Sequence, residues 1–156
     1  MDSSEKIALF LTSVLLSLFV LAILISSKVM DIDVPECIPA DNVFETGSVK
    51  AIDEAAKQYE VKYVAKMWGF DPPVVEVPAG SELDIYLTSP DVVHGFYLRG
   101  TNCNLMAVPG ALTKQTVTLT DPGRYPIYCH EYCGTGHHFM KGEIIVLPDG
   151  AQISKK

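Results

Sequence analysis

The chain has 156 residues, of which 48% are hydrophobic and 20% charged, and its formal net charge is −7. That balance excludes a disordered chain, a nucleic-acid binder working through charge, and a multi-domain enzyme. A mean hydropathy of +0.21 is high for a soluble domain of this length, so the apolar residues must be unevenly spread.

Between Lys6 and Lys28 lie 21 residues, Ile7 to Ser27, with no charge, no Pro and no Gly. As a helix this run is about 30 Å long, the thickness of a bilayer's hydrocarbon core. A cleaved signal peptide has an apolar stretch of only about 7 to 15 residues and a small-residue cleavage site, which Ser26-Ser27-Lys28-Val29-Met30 does not supply. A lipoprotein signal fails too, because Val34-Pro35-Glu36 before Cys37 are not small residues. Residues 1–28 are therefore expected to form a retained transmembrane anchor. One Lys at each end, with Asp2 and Glu5 at the head, leaves its orientation unset by the positive-inside rule.

Residues 29–156 carry 17 acidic and 10 basic side chains, so the whole net charge sits beyond the anchor. Solubility is the ordinary use of such charge. An acidic surface also disfavours anionic lipid and nucleic acid and steers a basic protein partner at low salt.

Residues 29–58, with Pro35, Pro39 and Gly47 and no sustained period, read as a linker with a short helical turn near Ile52–Lys57. From residue 59 the pattern becomes short β-type runs, predicting strands near Tyr59–Trp68, Val74–Val77, Glu82–Thr88, Gly95–Leu98, Gln115–Leu119, Arg124–Cys129 and Gly142–Leu147. Turn residues such as Asp71-Pro72-Pro73, Pro78-Ala79-Gly80 and Asp121-Pro122-Gly123 separate them. Seven or so strands in about 90 residues predict a small β-sandwich.

Three of the four histidines and two of the four cysteines fall within Cys129–Met140, Cys-His-Glu-Tyr-Cys-Gly-Thr-Gly-His-His-Phe-Met. Packing does not explain that density of soft and borderline ligands, and Gly134 and Gly136 let the chain fold tightly round a point. Zinc would suit Cys129, Cys133 and His137 but has no use for a thioether, and a Cys129–Cys133 disulfide would leave the histidines and Met140 without a role. Cys133-x₃-His137-x₂-Met140 has the ligand types of a blue-copper loop, with His94 upstream at a strand start as the second imidazole. Cys129 adds a second thiolate. Two thiolates bridging two copper ions, each ion capped by one of His94 and His137, with the Met140 sulfur and the Glu131 carbonyl in weak axial positions, give every unusual residue a place.

This pattern, Cys129-x-Glu131-x-Cys133-Gly134-x-x-His137-x-x-Met140 with upstream His94, resembles the binuclear copper A site of subunit II of haem-copper cytochrome c oxidases. One anchor followed by a short domain resembles the compact ba3-type branch over nearly the whole chain, as do Ser89-Pro90-Asp91-Val92-Val93-His94-Gly95-Phe96 and Gly100-Thr101-Asn102. Glu131 departs from that branch, where a Gln is expected. In other branches a Glu here also offers its carboxylate to magnesium at the subunit I interface.

The resemblance implies a mainly β, cupredoxin-like Greek-key sandwich over residues 59–156 behind a single transmembrane helix. It implies an electron-transfer subunit that accepts single electrons from reduced cytochrome c and passes them to haem in subunit I, for reduction of oxygen to water coupled to proton translocation. No bond chemistry is then expected on this chain itself. The partners implied are subunit I with its haem and copper B, a soluble or anchored cytochrome c, and a small extra membrane subunit, with no nucleic acid. The copper domain is then expected outside the cell membrane and the N-terminus in the cytoplasm.

Trp68 is a candidate for the point where electrons enter, although a lone Trp is more often core. Glu5 resembles the glutamate at the mouth of the ba3-type proton-uptake path, or else is an acid favoured by the helix dipole. Cys37 and Cys103 could pair, but Cys103 reads as a buried small hydrophobe. His130 and His138 are expected to face the catalytic subunit or solvent, and His138 is the register alternative to His137. A membrane-anchored mononuclear blue-copper carrier would leave Cys129 idle, and a copper chaperone would favour exposed Cys and Met pairs without a histidine cage. Nitrous oxide reductase shares the loop but needs a much larger second domain. Quinol oxidase subunits share the fold without the ligands.

Overall fold

The computed structural model describes residues 2–29, 34–39 and 43–148. The chain divides into two compact units, Met1–Ile32 and Asp33–Lys156. The first is one helix, α1 (Ser3–Val29), which contains the whole uncharged run Ile7 to Ser27. Its start is a reciprocal cap. The Glu5 amide donates to Asp2 Oδ1 and the Asp2 amide donates to Glu5 Oε2, both at 2.8 Å. The hydroxyls of Thr12, Ser17 and Ser27 donate back to carbonyls three or four residues earlier, so these three polar side chains are satisfied within the helix. Its leucines, isoleucines and phenylalanines are exposed on every side. Among the described residues it is the one helix long and apolar enough to cross a membrane.

The second unit is a sandwich of two sheets. One runs β1 (Glu36–Ile38), β9 (Leu112–Leu119), β6 (Ser81–Thr88), β3 (Gln58–Lys66), β2 (Ser48–Asp53), with β4 (Gly69–Asp71) beside β3. The other runs β5 (Val74–Pro78), β11 (Lys141–Leu147), β10 (Gly123–Tyr128), β7 (His94–Leu98), β8 (Asn104–Ala107). The pairs β3–β6 and β5–β11 are parallel and the others antiparallel. Period-2 patterning sets which face is inside. In β6, Leu83, Ile85 and Leu87 are fully buried, while Asp84 on the outer face meets Lys114 at 3.2 Å and accepts from the Thr116 hydroxyl. From the opposite sheet Phe96, Leu98, Ile127 and Ile144 fill the other half of the core. Phe96 sits against Tyr63, ring centroids 5.0 Å apart, and edge-on to Phe70 at 5.5 Å.

All seven expected strands are present, and four more join them: β1, β2, β4 and β8. The linker reading of residues 29–58 is thus corrected, because β1 pairs with β9 and β2 with β3 inside this range. The helical turn near Ile52–Lys57 is corrected too. Ile52 and Asp53 end β2, and the Asp53 carboxylate accepts from the amides of Ala55 and Ala56 to form a tight turn into β3. Two expected strand ends are shorter. β3 stops at Lys66, which leaves Trp68 on the turn into β4, and β10 stops at Tyr128, which leaves Cys129 to begin a loop.

Candidate metal centre

Two pieces of chain at one end of the sandwich build the centre. His94 opens β7, and the loop from Cys129 to Met140 joins β10 to β11, which are neighbours in the same sheet. The sulfurs of Cys129 and Cys133, both free and buried thiols, lie 3.8 Å apart. The Cys133 sulfur is 3.6 Å from His137 Nδ1 and 3.7 Å from the Met140 sulfur, which is 2% exposed. The Cys129 thiol points at the Glu131 carbonyl oxygen, 3.2 Å away. Nitrogen and sulfur ligand atoms of His94, Cys129 and Cys133 all lie within 4.8 Å of one another, a group that could hold a metal ion.

His94 is fully buried, and its two ring nitrogens have different surroundings. Nε2–H donates to Asp91 Oδ1 at 2.8 Å, whereas Nδ1 is buried with no hydrogen-bond partner. A buried imidazole nitrogen left bare is costly unless something else takes its lone pair, and a metal ion does so. Asp91 is itself held firmly, accepting from the amides of Met67 and Val92 and the hydroxyl of Ser89 as well as from His94. Burial alone would raise the Asp91 carboxyl, but these hydrogen bonds bring it down to about 2. At Cys133 the balance goes the other way. Burial, then the adjoining Cys129, pushes its thiol up to about 11. Two thiolates held side by side in a buried place need a cation between them. A 3.8 Å gap suits sulfurs bonded to one ion at about 2.3 Å, the usual zinc–thiolate distance. The donor set fits a metal, and its mixture of thiolate, imidazole and thioether is copper's.

Of the expected site residues, His94, Cys129, Glu131, Cys133, His137 and Met140 are thus brought together. His138 is exposed and lies against Phe139, ring centroids 3.8 Å apart, and it is His137 that faces the cysteine sulfur. The ring of exposed His130 packs on Gly95, where a Cβ would come within 2.6 Å of three of its atoms. Trp68 is half-exposed and lies over the ligand loop, its indole N–H donating to the Cys133 carbonyl at 3.2 Å. Glu5 belongs to the helical unit, where its carboxylate caps α1. Cys37 is exposed on β1 and Cys103 is buried in the core, and no disulfide joins them. Sequence reasoning missed Asp91. The signal was available, since a carboxylate three residues before a strand-initial His can reach its ring.

Residues 48–147 match the family described as cytochrome C oxidase subunit II, periplasmic domain. Two sequences of cytochrome c oxidase subunit 2 from Thermus thermophilus are each 41% identical over 112 residues, 72% of this chain. The matched stretch takes in 77% of one and 62% of the other. Among solved structures, a chain of a heme-copper terminal oxidase dimer superposes with a TM-score of 0.76 at 40% identity, covering 92% of this chain and 99% of that one. The periplasmic domain of subunit II of cytochrome oxidase from Bradyrhizobium japonicum, 23% identical with a TM-score of 0.53 over 58% of this chain and 84% of that one, shares the fold. The fold and the matched length together place this chain in the cytochrome c oxidase subunit II family, as part of an oxidoreductase complex.

Proposed function

We propose that this chain is the electron-transfer subunit of a terminal cytochrome c oxidase, holding a binuclear copper A centre that receives single electrons from reduced cytochrome c and delivers them to haem in subunit I. There oxygen is reduced to water with coupled proton translocation. The observation that carries this reading is the pair of buried thiols 3.8 Å apart beside a buried His94 Nδ1 with no partner. A mononuclear blue-copper centre would use one cysteine and leave the other beside it without a function.

In this reading His94 would hold the metal through Nδ1 and His137 through the Nδ1 that faces Cys133, Cys129 and Cys133 would supply the thiolates, and Met140 and the Glu131 carbonyl would be weaker donors. Bound there, two copper ions supply a one-electron redox centre whose charge change is spread over two metals and two sulfurs. The protein's work is to keep the ligands still. Asp91 fixes the His94 ring and its tautomer, and its bond to the Met67 amide ties that ring to the neighbouring turn. The flanking strands β7, β10 and β11 are hydrogen-bonded neighbours in one sheet, so the two ligand segments are anchored to the same rigid frame. Cys133 and Met140 are buried, which excludes water from the sulfur side. Trp68 offers a half-exposed aromatic surface joined to the Cys133 carbonyl, the route by which electrons reach the loop. Magnesium at the subunit I interface would be held by the Glu131 carboxylate. The helix α1 would anchor the domain with the copper centre outside, facing the donor, and the N-terminus in the cytoplasm.

The experiment is the copper content and EPR spectrum of the copper-loaded chain. Two coppers per chain and about seven hyperfine lines, from one electron shared by two spin-3/2 nuclei, are expected. One copper with four lines would replace this reading by an independent blue-copper carrier.

A further inference from the structure

Trp68, the single tryptophan of the chain, stands on the turn between β3 and β4 and rests its indole on two glycines of the ligand loop. A Cβ at Gly134 would come to 3.3 Å from the indole nitrogen and 3.6 Å from Cζ2. A Cβ at Gly136 would come to 2.4 Å from Cδ2, 2.6 Å from Cγ and 2.8 Å from Cε3, closer than real side chains approach. The two positions differ in why they are glycine. Gly134 has φ +111°, a conformation that side-chain-bearing residues rarely adopt, so its backbone alone accounts for it. Gly136 has φ −90° and ψ 6°, the values of the third position of a type I turn, which most residues can take. The three nearest atoms that a methyl group there would meet all belong to the Trp68 ring.

We propose that Gly136 is a positioning residue for electron uptake: its bare Cα admits the Trp68 indole onto the ligand loop and thereby makes the hydrogen bond from the indole N–H to the Cys133 carbonyl. This rests on the reading of Trp68 as the point where electrons enter. The step it serves is the loss of one electron by a reduced haem protein and its uptake by the metal centre. No bond forms or breaks in that step and no proton moves. A side chain at position 136 lifts the ring from the loop and lengthens or breaks the contact with Cys133, while His94 keeps its own bond to Asp91, which involves no atom of Trp68 or of residue 136. Residue 136 therefore sets the coupling between the surface and the ligand sulfur separately from the properties of the centre itself.

The test uses the full-length chain in detergent with three variants, Gly136→Ala, Trp68→Leu and the two combined. Because Trp68 is the single tryptophan, the metal-free protein reports its own seating: Gly136→Ala is expected to shift tryptophan emission to the red and to increase quenching by acrylamide. In the copper-loaded chain the EPR spectrum of Gly136→Ala should match the parent, while its rate of reduction by ferrous cytochrome c falls on the order of tenfold, the scale of a small misplacement. Trp68→Leu should slow the reaction as much, and adding Gly136→Ala to it should slow it no further. Unchanged emission and quenching in Gly136→Ala would overturn the proposal, as would an equal further slowing in the Trp68→Leu background. If Gly136→Ala does not fold, the combined variant must, since the methyl then has room. Failure of both would mean that glycine is needed by the backbone, and the assignment falls. The emission result needs no copper, so it stands or falls apart from the copper stoichiometry.

Discussion

The Asp91 carboxylate accepts from Met67, Val92, Ser89 and His94, so both its oxygens face donors. An Asn in its place must turn an NH₂ toward one of them, either the Met67 amide or the His94 ring. Asp91→Asn is therefore expected to weaken copper binding by about 10- to 100-fold, the range for partners that orient metal-ligating imidazoles, in competition titrations against a chelator. Tyr63 presents the opposite case. Its hydroxyl is fully buried with no hydrogen-bond partner, and burial, with the nearby Cys103, pushes its ionisation far above the ordinary tyrosine range. Tyr63→Phe keeps the ring contact with Phe96 and removes only the unpaired group. The unfolding free energy is expected to stay or to rise, by up to about 3 kcal/mol, read as a shifted denaturation midpoint at an unchanged denaturant slope. A clear loss of stability would show that the hydroxyl has a partner after all.

Among the elements, β6 and β9 carry their charged groups, Glu82, Asp84 and Lys114, on the outer face of the first sheet. Burial would lower the Lys114 ammonium, but the hydrogen bond and charge of Asp84 outweigh it and leave the group raised. A raised folded value means that the pair stabilises fully below the ordinary lysine pKa and loses that contribution as pH climbs through the folded one. The stability advantage of the parent over Lys114→Met, about 1 kcal/mol or less for a pair of this exposure, should be present at neutral pH and be lost as pH climbs beyond the ordinary lysine range. An advantage that persisted there would assign it to the packing of the lysine stem. The strands differ in how well their sequence announces them. β6 alternates Leu83, Ile85, Leu87 with Glu82, Asp84, Tyr86 because one face is core and the other is not. β2 has little to alternate. It is an edge strand with most side chains exposed, held by its ladder to β3, so its sequence carries no burial signal. β1 has three residues, too short for any pattern to show.

For the whole molecule, the charge lies entirely beyond the helix and is acidic. Reduction by a basic cytochrome c is expected to slow steadily as ionic strength rises from about 0.01 to 0.15 M, as the Debye length shrinks from about 30 to 8 Å. A flat profile would mean that the half-exposed Met67 and Trp68 surface, and not the net charge, governs docking. What the sequence by itself determined is local. The uncharged run of α1, the alternation of the core strands and the spacing of Cys129, Cys133, His137 and Met140 are all set by neighbours within about a dozen residues, which periodicity and ligand chemistry can read. Only the tertiary structure decided what depends on chain segments far apart meeting. The sheet frame sets His94 beside the cysteine loop across 35 residues, leaves its Nδ1 bare by giving Nε2 to Asp91, and lays Trp68 on Gly136 from 68 residues away. Those contacts follow from strand pairing and shape, which no short stretch of sequence encodes.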